Sequence, residues 1–327
     1  MEYRRLGNSD LELSVVGLGG FLIGNSGWVQ MDDDVSVGII HRAIELGINW
    51  LDTSEKYGDG HSEEVIGKAL KGLKRQDVIL ATKVDPKHVS AEDLPKALDA
   101  SLKRLNTDYV DLYQIHWPST EFTYHSRKVD VPREETMHAL LDEQRKGRIR
   151  CIGVSNFDAD QMAEMARYGR VDSLQLPYNL YWRHVEQEDL PFCIEHNMGI
   201  IPYSPLAQGM LAGRFDARNK PQPQDSRSQN KLYFSPTYEL ALEGMTLLQD
   251  VADKHGKALS QTAVRWLLQQ PGVTAAVVGA RTLQHVEQNV GAADWKINDE
   301  DLAALSAAGD RVMSSLTDRN PTQWFSH

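Results

Sequence analysis

Four residues of this 327-residue chain could together move a proton: Asp52, Tyr57, Lys83 and His116. A free phenol titrates near pH 10 and gives up its proton reluctantly at neutral pH. A neighbouring ammonium favours the phenolate, so Lys83 is expected to acidify Tyr57. Asp52 can hold that ammonium in place and charged, and His116 can donate a hydrogen bond to an oxygen. Such a set is a general acid with an oxyanion partner and no activated nucleophile. It suits protonation of an oxygen while a hydride arrives from elsewhere. Side chains cannot supply hydride, so a nicotinamide cofactor is implied.

Taken singly, each residue has a plainer explanation. Tyr57 is one of 11 tyrosines and could be a packing ring, and His116 could be structural. Asp52 could cap a turn, and Lys83 could reach from an apolar strand to water. What brings them together is the alternation of elements along the chain. Strand-length apolar runs occupy residues 15–20, 48–53, 78–83, 110–116, 149–155, 173–178, 199–205 and 274–279. Helical periodicity follows each of them, over 34–46, 62–71, 90–105, 133–146, 159–168, 188–196, 237–255 with 260–270, and 283–291. A last helix is expected over 299–308, and the opening residues read as a hairpin turning near Gly7-Asn8.

Eight strand–helix units with near-continuous apolar strands predict a parallel sheet covered by helices. They predict an α/β chain folded as a (β/α)8 TIM barrel, one domain over residues 1–327. A doubly wound sheet holding a dinucleotide would offer a GxGxxG turn, and GLGGFLIG does not match that spacing. Gly67-Lys68-Ala69 lacks the rest of a phosphate-binding lysine loop. In a barrel, catalytic groups stand at the C-terminal ends of strands. Those ends carry Gly19, Gly20 and Phe21, then Asp52 with Tyr57 behind it, Lys83, His116, Ser155 and Asn156, Gln175, Tyr203 to Pro205, and Gly279 to Arg281. Long loops over 117–131 and 215–236, together with the tail 314–327, are expected to lie over that face. Phe21, Trp28 and Trp117, with Tyr57 and His116, are expected to wall a substrate pocket.

Composition narrows the partners. A formal net charge of −11 argues against a nucleic-acid binder and against an anionic membrane surface. The two cysteines, Cys151 and Cys193, form neither a CxxC pair nor a zinc spacing, no HExxH pair occurs, and no metal site is expected. With no secretory h-region and no membrane-length apolar run, a cytoplasmic protein is expected. Ser62-Glu63-Glu64 reads as a helix N-cap followed by acids suited to the dipole, and Asp32-Asp33-Asp34 as a solvated helix start.

The segments LDTSEKYGDGHSEEVIGKAL, ILATKV, VDLYQIHWP, IGVSNF, IPYSPLAQGMLAG and GARTLQHVEQN together resemble the aldo-keto reductases, over nearly the whole chain and in the family's order. The resemblance implies a (β/α)8 barrel that uses NADP(H) or NAD(H) on a small carbonyl or alcohol substrate. It implies that Asp52, Tyr57, Lys83 and His116 form the catalytic tetrad, with Tyr57 as acid in reduction and base in oxidation. It further implies that Gly19, Gly20, Phe21 and Asp52 border the cofactor, and that Ser155, Asn156 and Gln175 hold the carboxamide. Tyr203 would lie under the nicotinamide ring. Ser204, Pro205, Leu206, Gln208, Gly209 and Arg214 would strap the pyrophosphate, and Gly279, Arg281, Thr282, His285, Gln288 and Asn289 would surround the adenosine end. Physically, Arg281 stands just before a helix N-terminus, where amides and a guanidinium suit a phosphate, so NADP(H) is favoured over NAD(H). Family members commonly have Gln where His285 stands and Glu where Gln288 stands, which leaves dual cofactor use open. Two other readings stand beside this one: a cofactor-binding regulatory or redox-sensing subunit with little turnover, and a barrel lyase or isomerase with Lys83 as Schiff base.

Overall fold

A computed structural model describes residues 1–25, 30–119, 123–124, 127–128 and 130–316. The chain opens with the expected antiparallel hairpin, β1 (Tyr3–Arg5) and β2 (Glu12–Ser14). Eight parallel strands follow: β3 (Val16–Gly19), β4 (Trp50–Asp52), β5 (Ile79–Val84), β6 (Val110–Ile115), β9 (Ile149–Ser155), β10 (Ser173–Pro177), β11 (Gly199–Tyr203) and β12 (Ala276–Val278). A two-residue ladder, β7 (Thr123–Tyr124) with β8 (Arg127–Lys128), sits in the loop after β6. The sheet runs in chain order from β3 to β11, and β12 pairs back onto β3. The remaining seam closes through a parallel bridge between Ile200 and Val273 and a 2.9 Å bond from the Thr274 amide to the Ile200 carbonyl. This is the (β/α)8 barrel expected from the alternation.

The helices are α1 (Asp33–Glu45), α2 (His61–Leu70), α3 (Asp93–Leu105), α4 (Arg133–Arg145), α5 (Ala159–Ala166), α6 (Asp189–Glu195), α7 (Thr237–Lys254), α8 (Leu259–Leu268), α9 (Leu283–Val290) and α10 (Asp299–Ser314). Their apolar stripes face the sheet. In α3, Leu94, Ala97, Leu98, Ser101, Leu102 and Leu105 are buried at helical spacing. Its end is set by Asn106, whose left-handed backbone (φ 54) lets its amide and that of Thr107 close back onto the last turn. Asp32 caps α1 by accepting the amides of Asp34 and Val35, which accounts for that acidic run. The lower end of the barrel is plugged by the hairpin: Leu6, Leu11 and Leu13 pack with Trp50, Ala81, Leu112 and Cys151 in one buried cluster. The upper end is thereby left for chemistry.

Two local expectations are overturned. Ser62 is not a helix N-cap: α2 begins a residue earlier, after Gly60 in the left-handed region (φ 96). The Ser62 hydroxyl is buried and donates to the Gly20 carbonyl at 2.9 Å. Glu63 faces inward rather than toward solvent, accepting from Thr82 at 2.6 Å and from Arg104 at 2.7 Å. The second correction concerns α10, which continues to Ser314 instead of ending near residue 308, with Leu305, Ala308 and Val312 buried on one face. The tail beyond residue 316, with Trp324 and Phe325, lies outside the described residues. Among the described residues, no helix is long and apolar enough to cross a membrane.

Candidate active site

Strand register assembles the proton-moving set. Asp52 ends β4, Lys83 lies in β5 paired with Gln114 of β6, and His116 follows β6. Tyr57 stands in the loop between β4 and α2. The four side chains meet. Lys83 Nζ donates to Asp52 Oδ2 at 2.6 Å, to the Thr53 carbonyl at 2.8 Å and to Tyr57 Oη at 3.3 Å. An ammonium has three donors, and these partners use all of them. The Tyr57 and His116 rings meet edge to face with centroids 5.7 Å apart. Phe21 also meets the Tyr57 ring edge to face, with centroids 5.3 Å apart.

Burial sets the electrostatics. Lys83 is 1% exposed and Asp52 is 2% exposed. A buried charge is tolerable only when paired and hydrogen-bonded. Burial pulls the Lys83 pKa down, but the Asp52 carboxylate and the Tyr57 hydroxyl outweigh it, and the ammonium is held charged above its ordinary value. An amine held in its charged form is a poor Schiff-base nucleophile, which weighs against the lyase reading. Burial raises the Tyr57 pKa more than Lys83 lowers it, and Asp52 adds to the rise. The expectation that Lys83 leaves Tyr57 more acidic than a free phenol is therefore corrected: its pull is real but loses to desolvation. Burial, then Lys83, then Lys56 drive the His116 pKa well below the imidazole range, so the ring is neutral.

The residues expected around a cofactor lie at the same end of the barrel. Gly20 donates its amide to the Asp52 carbonyl at 2.7 Å, and a Cβ there would come within 2.6 Å of Ser62 Oγ. That contact holds the β3 loop, with Gly19 and Phe21, against Asp52. Ser155 is buried at the end of β9. Asn156 takes a left-handed conformation (φ 62); its amide donates to the His116 carbonyl at 3.0 Å, and its oxygen accepts from Tyr203 Oη at 2.8 Å. Gln175, expected at a carboxamide, directs its amide to Asp52 Oδ1 at 2.8 Å. After Tyr203, the segment Ser204-Pro205-Leu206-Ala207-Gln208-Gly209 turns tightly, with positive φ at Ser204, Ala207, Gln208 and Gly209. At Gly209 φ is 104°, a conformation glycine takes without strain.

Arg214 is exposed, and burial, then Arg227 and Arg281, lower its pKa, so three guanidiniums share this region. Gly279 and Arg281 lead into α9, which Thr282 caps by accepting the His285 amide at 3.2 Å. His285 Nδ1 accepts the Arg281 amide at 3.3 Å, and Asn289 donates to the Gly279 carbonyl at 3.2 Å. These two residues shape the loop itself. The Gln288 carbonyl accepts from Gln261 at 3.0 Å. Clustered guanidiniums, a left-handed strap and a capped helix N-terminus form a donor set chemically suited to the phosphates of a dinucleotide. Trp117 directly follows His116 and is half-buried, whereas Trp28 lies outside the described residues.

Four contributors were missed. Ser54 Oγ lies 3.0 Å from His116 Nδ1. Gln114 donates to Asp52 Oδ1 at 3.3 Å, and Asn179 holds the Ser204 carbonyl at 2.9 Å. Arg227, from the polar stretch after β11, is buried beside Asp225 and donates to the Gln208 carbonyl at 3.2 Å, tying that stretch to the strap. Gln114 had a signal: it lies in β6 two residues before His116, which follows that strand directly, and period-two alternation carried one residue past the strand end puts both on one face. The others are made by contacts distant in sequence.

The aldo/keto reductase family profile matches residues 15–310, and the chain belongs to this family. The class of reaction is thus NAD(P)H-dependent oxidoreduction of a carbonyl. Among relatives, the NADH-specific methylglyoxal reductase of Escherichia coli (strain K12) is 31% identical, covering 92% of this chain and 96% of its own. The solved structure of a glycerol dehydrogenase from Gluconobacter oxydans superposes with a TM-score of 0.87 at 32% identity, covering 97% of each chain. An aldo/keto reductase from Klebsiella pneumoniae, solved with NADP and acetate, gives a TM-score of 0.74 at 29% identity, covering 98% of each chain.

Proposed function

We propose that this chain reduces a small aldehyde or ketone, or oxidises the matching alcohol, with Tyr57 as the general acid and base and NADPH as the preferred reductant. The observation that carries the reading is the Asp52–Lys83–Tyr57 chain of contacts, closed by His116, at the upper mouth of the barrel. The bound reduced nicotinamide supplies the hydride. Tyr57 gives its proton to the oxygen that becomes the alcohol, and takes it back in oxidation. Lys83, fixed by Asp52, keeps positive charge beside the phenol oxygen as the proton leaves. Neutral His116 donates to the substrate oxygen and fixes its direction.

Ser155, Asn156 and Tyr203 would hold the nicotinamide end, and the 204–209 strap with Arg214 the pyrophosphate. Arg281 would take the 2′-phosphate that distinguishes NADPH from NADH. The NADP complex of the Klebsiella structure supports that preference, and the NADH-specific relative keeps NADH as the alternative. Phe21 and Trp117 would line the substrate side, and the names of the relatives point to short, polar carbonyls and polyols.

The test is Tyr57→Phe. Turnover with a panel of short aldehydes, followed by loss of reduced-nicotinamide absorbance, is expected to fall by roughly 100-fold or more. NADPH affinity, read by fluorescence quenching, is expected to stay at the parent value. Parent turnover in the variant would remove Tyr57 from its role.

A further inference from the structure

We infer that Ser54 fixes the tautomer of His116, holding the imidazole proton on Nε2, where a substrate oxygen can receive it. The inference rests on the role proposed above for His116 and adds a positioning residue to that site.

Ser54 is fully buried two residues beyond β4. Its hydroxyl oxygen stands 3.0 Å from His116 Nδ1, accepts the Lys56 amide at 3.1 Å, and lies 3.5 Å from the Lys83 carbonyl. A hydroxyl has one proton to give. If it goes to Nδ1, that nitrogen must be the bare one, and the imidazole proton sits on Nε2. In the reverse arrangement Nδ1–H donates to Ser54, and the hydroxyl proton must turn to the Lys83 carbonyl. That contact is at the outer limit of a hydrogen bond, and the same carbonyl already receives the Glu55 amide. The shorter contact therefore selects the first arrangement. The reverse one would also turn a bare Nε2 lone pair toward a carbonyl oxygen that has only lone pairs to offer. Because the ring is neutral, the choice of nitrogen decides whether it can donate at all. The Asn156 side-chain amide holds the His116 backbone as well, donating to its carbonyl at 3.0 Å.

The experiment uses the full-length protein labelled with nitrogen-15 at histidine, with His116→Gln identifying the resonances. Nitrogen shifts separate a protonated ring nitrogen from a bare one. The parent is expected to show Nε2 protonated and Nδ1 bare. Ser54→Ala is expected to give a mixture of tautomers and a roughly five- to tenfold fall in kcat for carbonyl reduction, the scale of one lost hydrogen bond, with the KM for NADPH unchanged. Ser54→Thr restores the hydroxyl and is expected to return both the shifts and the kcat. A parent with Nδ1 protonated would overturn the inference, even if the alanine variant failed to fold. So would a Ser54→Ala variant with parent shifts or with parent kcat. The nitrogen spectrum reads the tautomer whether or not carbonyls are reduced. A tautomer lock in a protein without turnover would therefore refute the proposed activity and leave the lock standing.

Discussion

The Lys83 ammonium lies 3.3 Å from the Tyr57 hydroxyl, and the phenol nevertheless sits above its ordinary pKa. Two opposing effects act on one oxygen, and desolvation is the larger. The site at rest is therefore an acid with its proton in place, the state that reduction requires.

A pH dependence with a definite sign results. Reduction uses the phenol, so its rate is expected to hold level through neutral pH and to fall only above the ordinary tyrosine range. Oxidation uses the phenolate, so its rate is expected to climb with pH through the alkaline range. Lys83 is the lowering influence on Tyr57, and Lys83→Met should push the alkaline limb of any residual reduction further up. Initial rates in both directions across the pH range check this. An oxidation rate that falls as pH rises from neutral would contradict it.

The Asp52–Lys83 pair separates stability from catalysis. Both charges are buried, 2.6 Å apart, and Asp52 Oδ1 also accepts from Gln114 and Gln175. Lys83→Met leaves the carboxylate uncompensated and is expected to cost about 3–5 kcal/mol. Adding Asp52→Asn removes the stranded charge and should recover most of that stability. Turnover should not recover, because no ammonium faces the phenol oxygen. Chemical denaturation alongside NADPH-dependent turnover tests both halves.

The barrel was legible because its cause is local. Each strand is a short apolar run and each helix a stripe at helical spacing, so eight repeats and their order could be read directly. The meeting of Asp52, Tyr57, Lys83 and His116 was legible for the same reason, since strand ends in a barrel share one face. What could not be read was depth. Nothing near Tyr57 in the chain says that desolvation will outweigh Lys83. Ser62 has the residue type of a cap, but its hydroxyl is taken by Gly20, 42 positions away. Arg227 sits in a polar stretch expected only as a loop over the catalytic face, and nothing in that pattern says that its side chain is buried with Asp225 and the Gln208 carbonyl as partners.

His116 should leave a mark on acid stability. Its folded pKa is depressed well below the ordinary imidazole value of 6.5, first by burial and then by Lys83. The unfolded chain therefore binds a proton that the folded chain refuses. The contribution of the neutral ring is fully present above the unfolded value and is lost as pH falls from there toward the folded value. The midpoint of thermal unfolding should therefore drop more steeply below neutral pH in the parent than in His116→Gln. Parallel curves for the two proteins would mean that the ring takes up its proton within the fold.

Arg281 tests which reductant the site prefers. Its backbone is fixed from two directions: its amide donates to His285 Nδ1, and Thr282 caps α9 directly behind it. Its guanidinium shares a region with those of Arg214 and Arg227, and the Arg214 pKa is lowered first by burial and then by that crowding. Like charges gathered on one surface are relieved by an anion, and a 2′-phosphate carries up to two negative charges. Removing one charge-assisted, two-donor contact costs about 1.5–3 kcal/mol, or roughly 10- to 100-fold in affinity. Arg281→Ala should therefore raise the KM for NADPH by about that factor and leave the KM for NADH within about twofold, since NADH has no group there to lose. Steady-state kinetics with both reductants on one aldehyde decide the matter. An equal rise for both would place Arg281 at the pyrophosphate or in the loop's own structure, and would remove the basis for an NADPH preference.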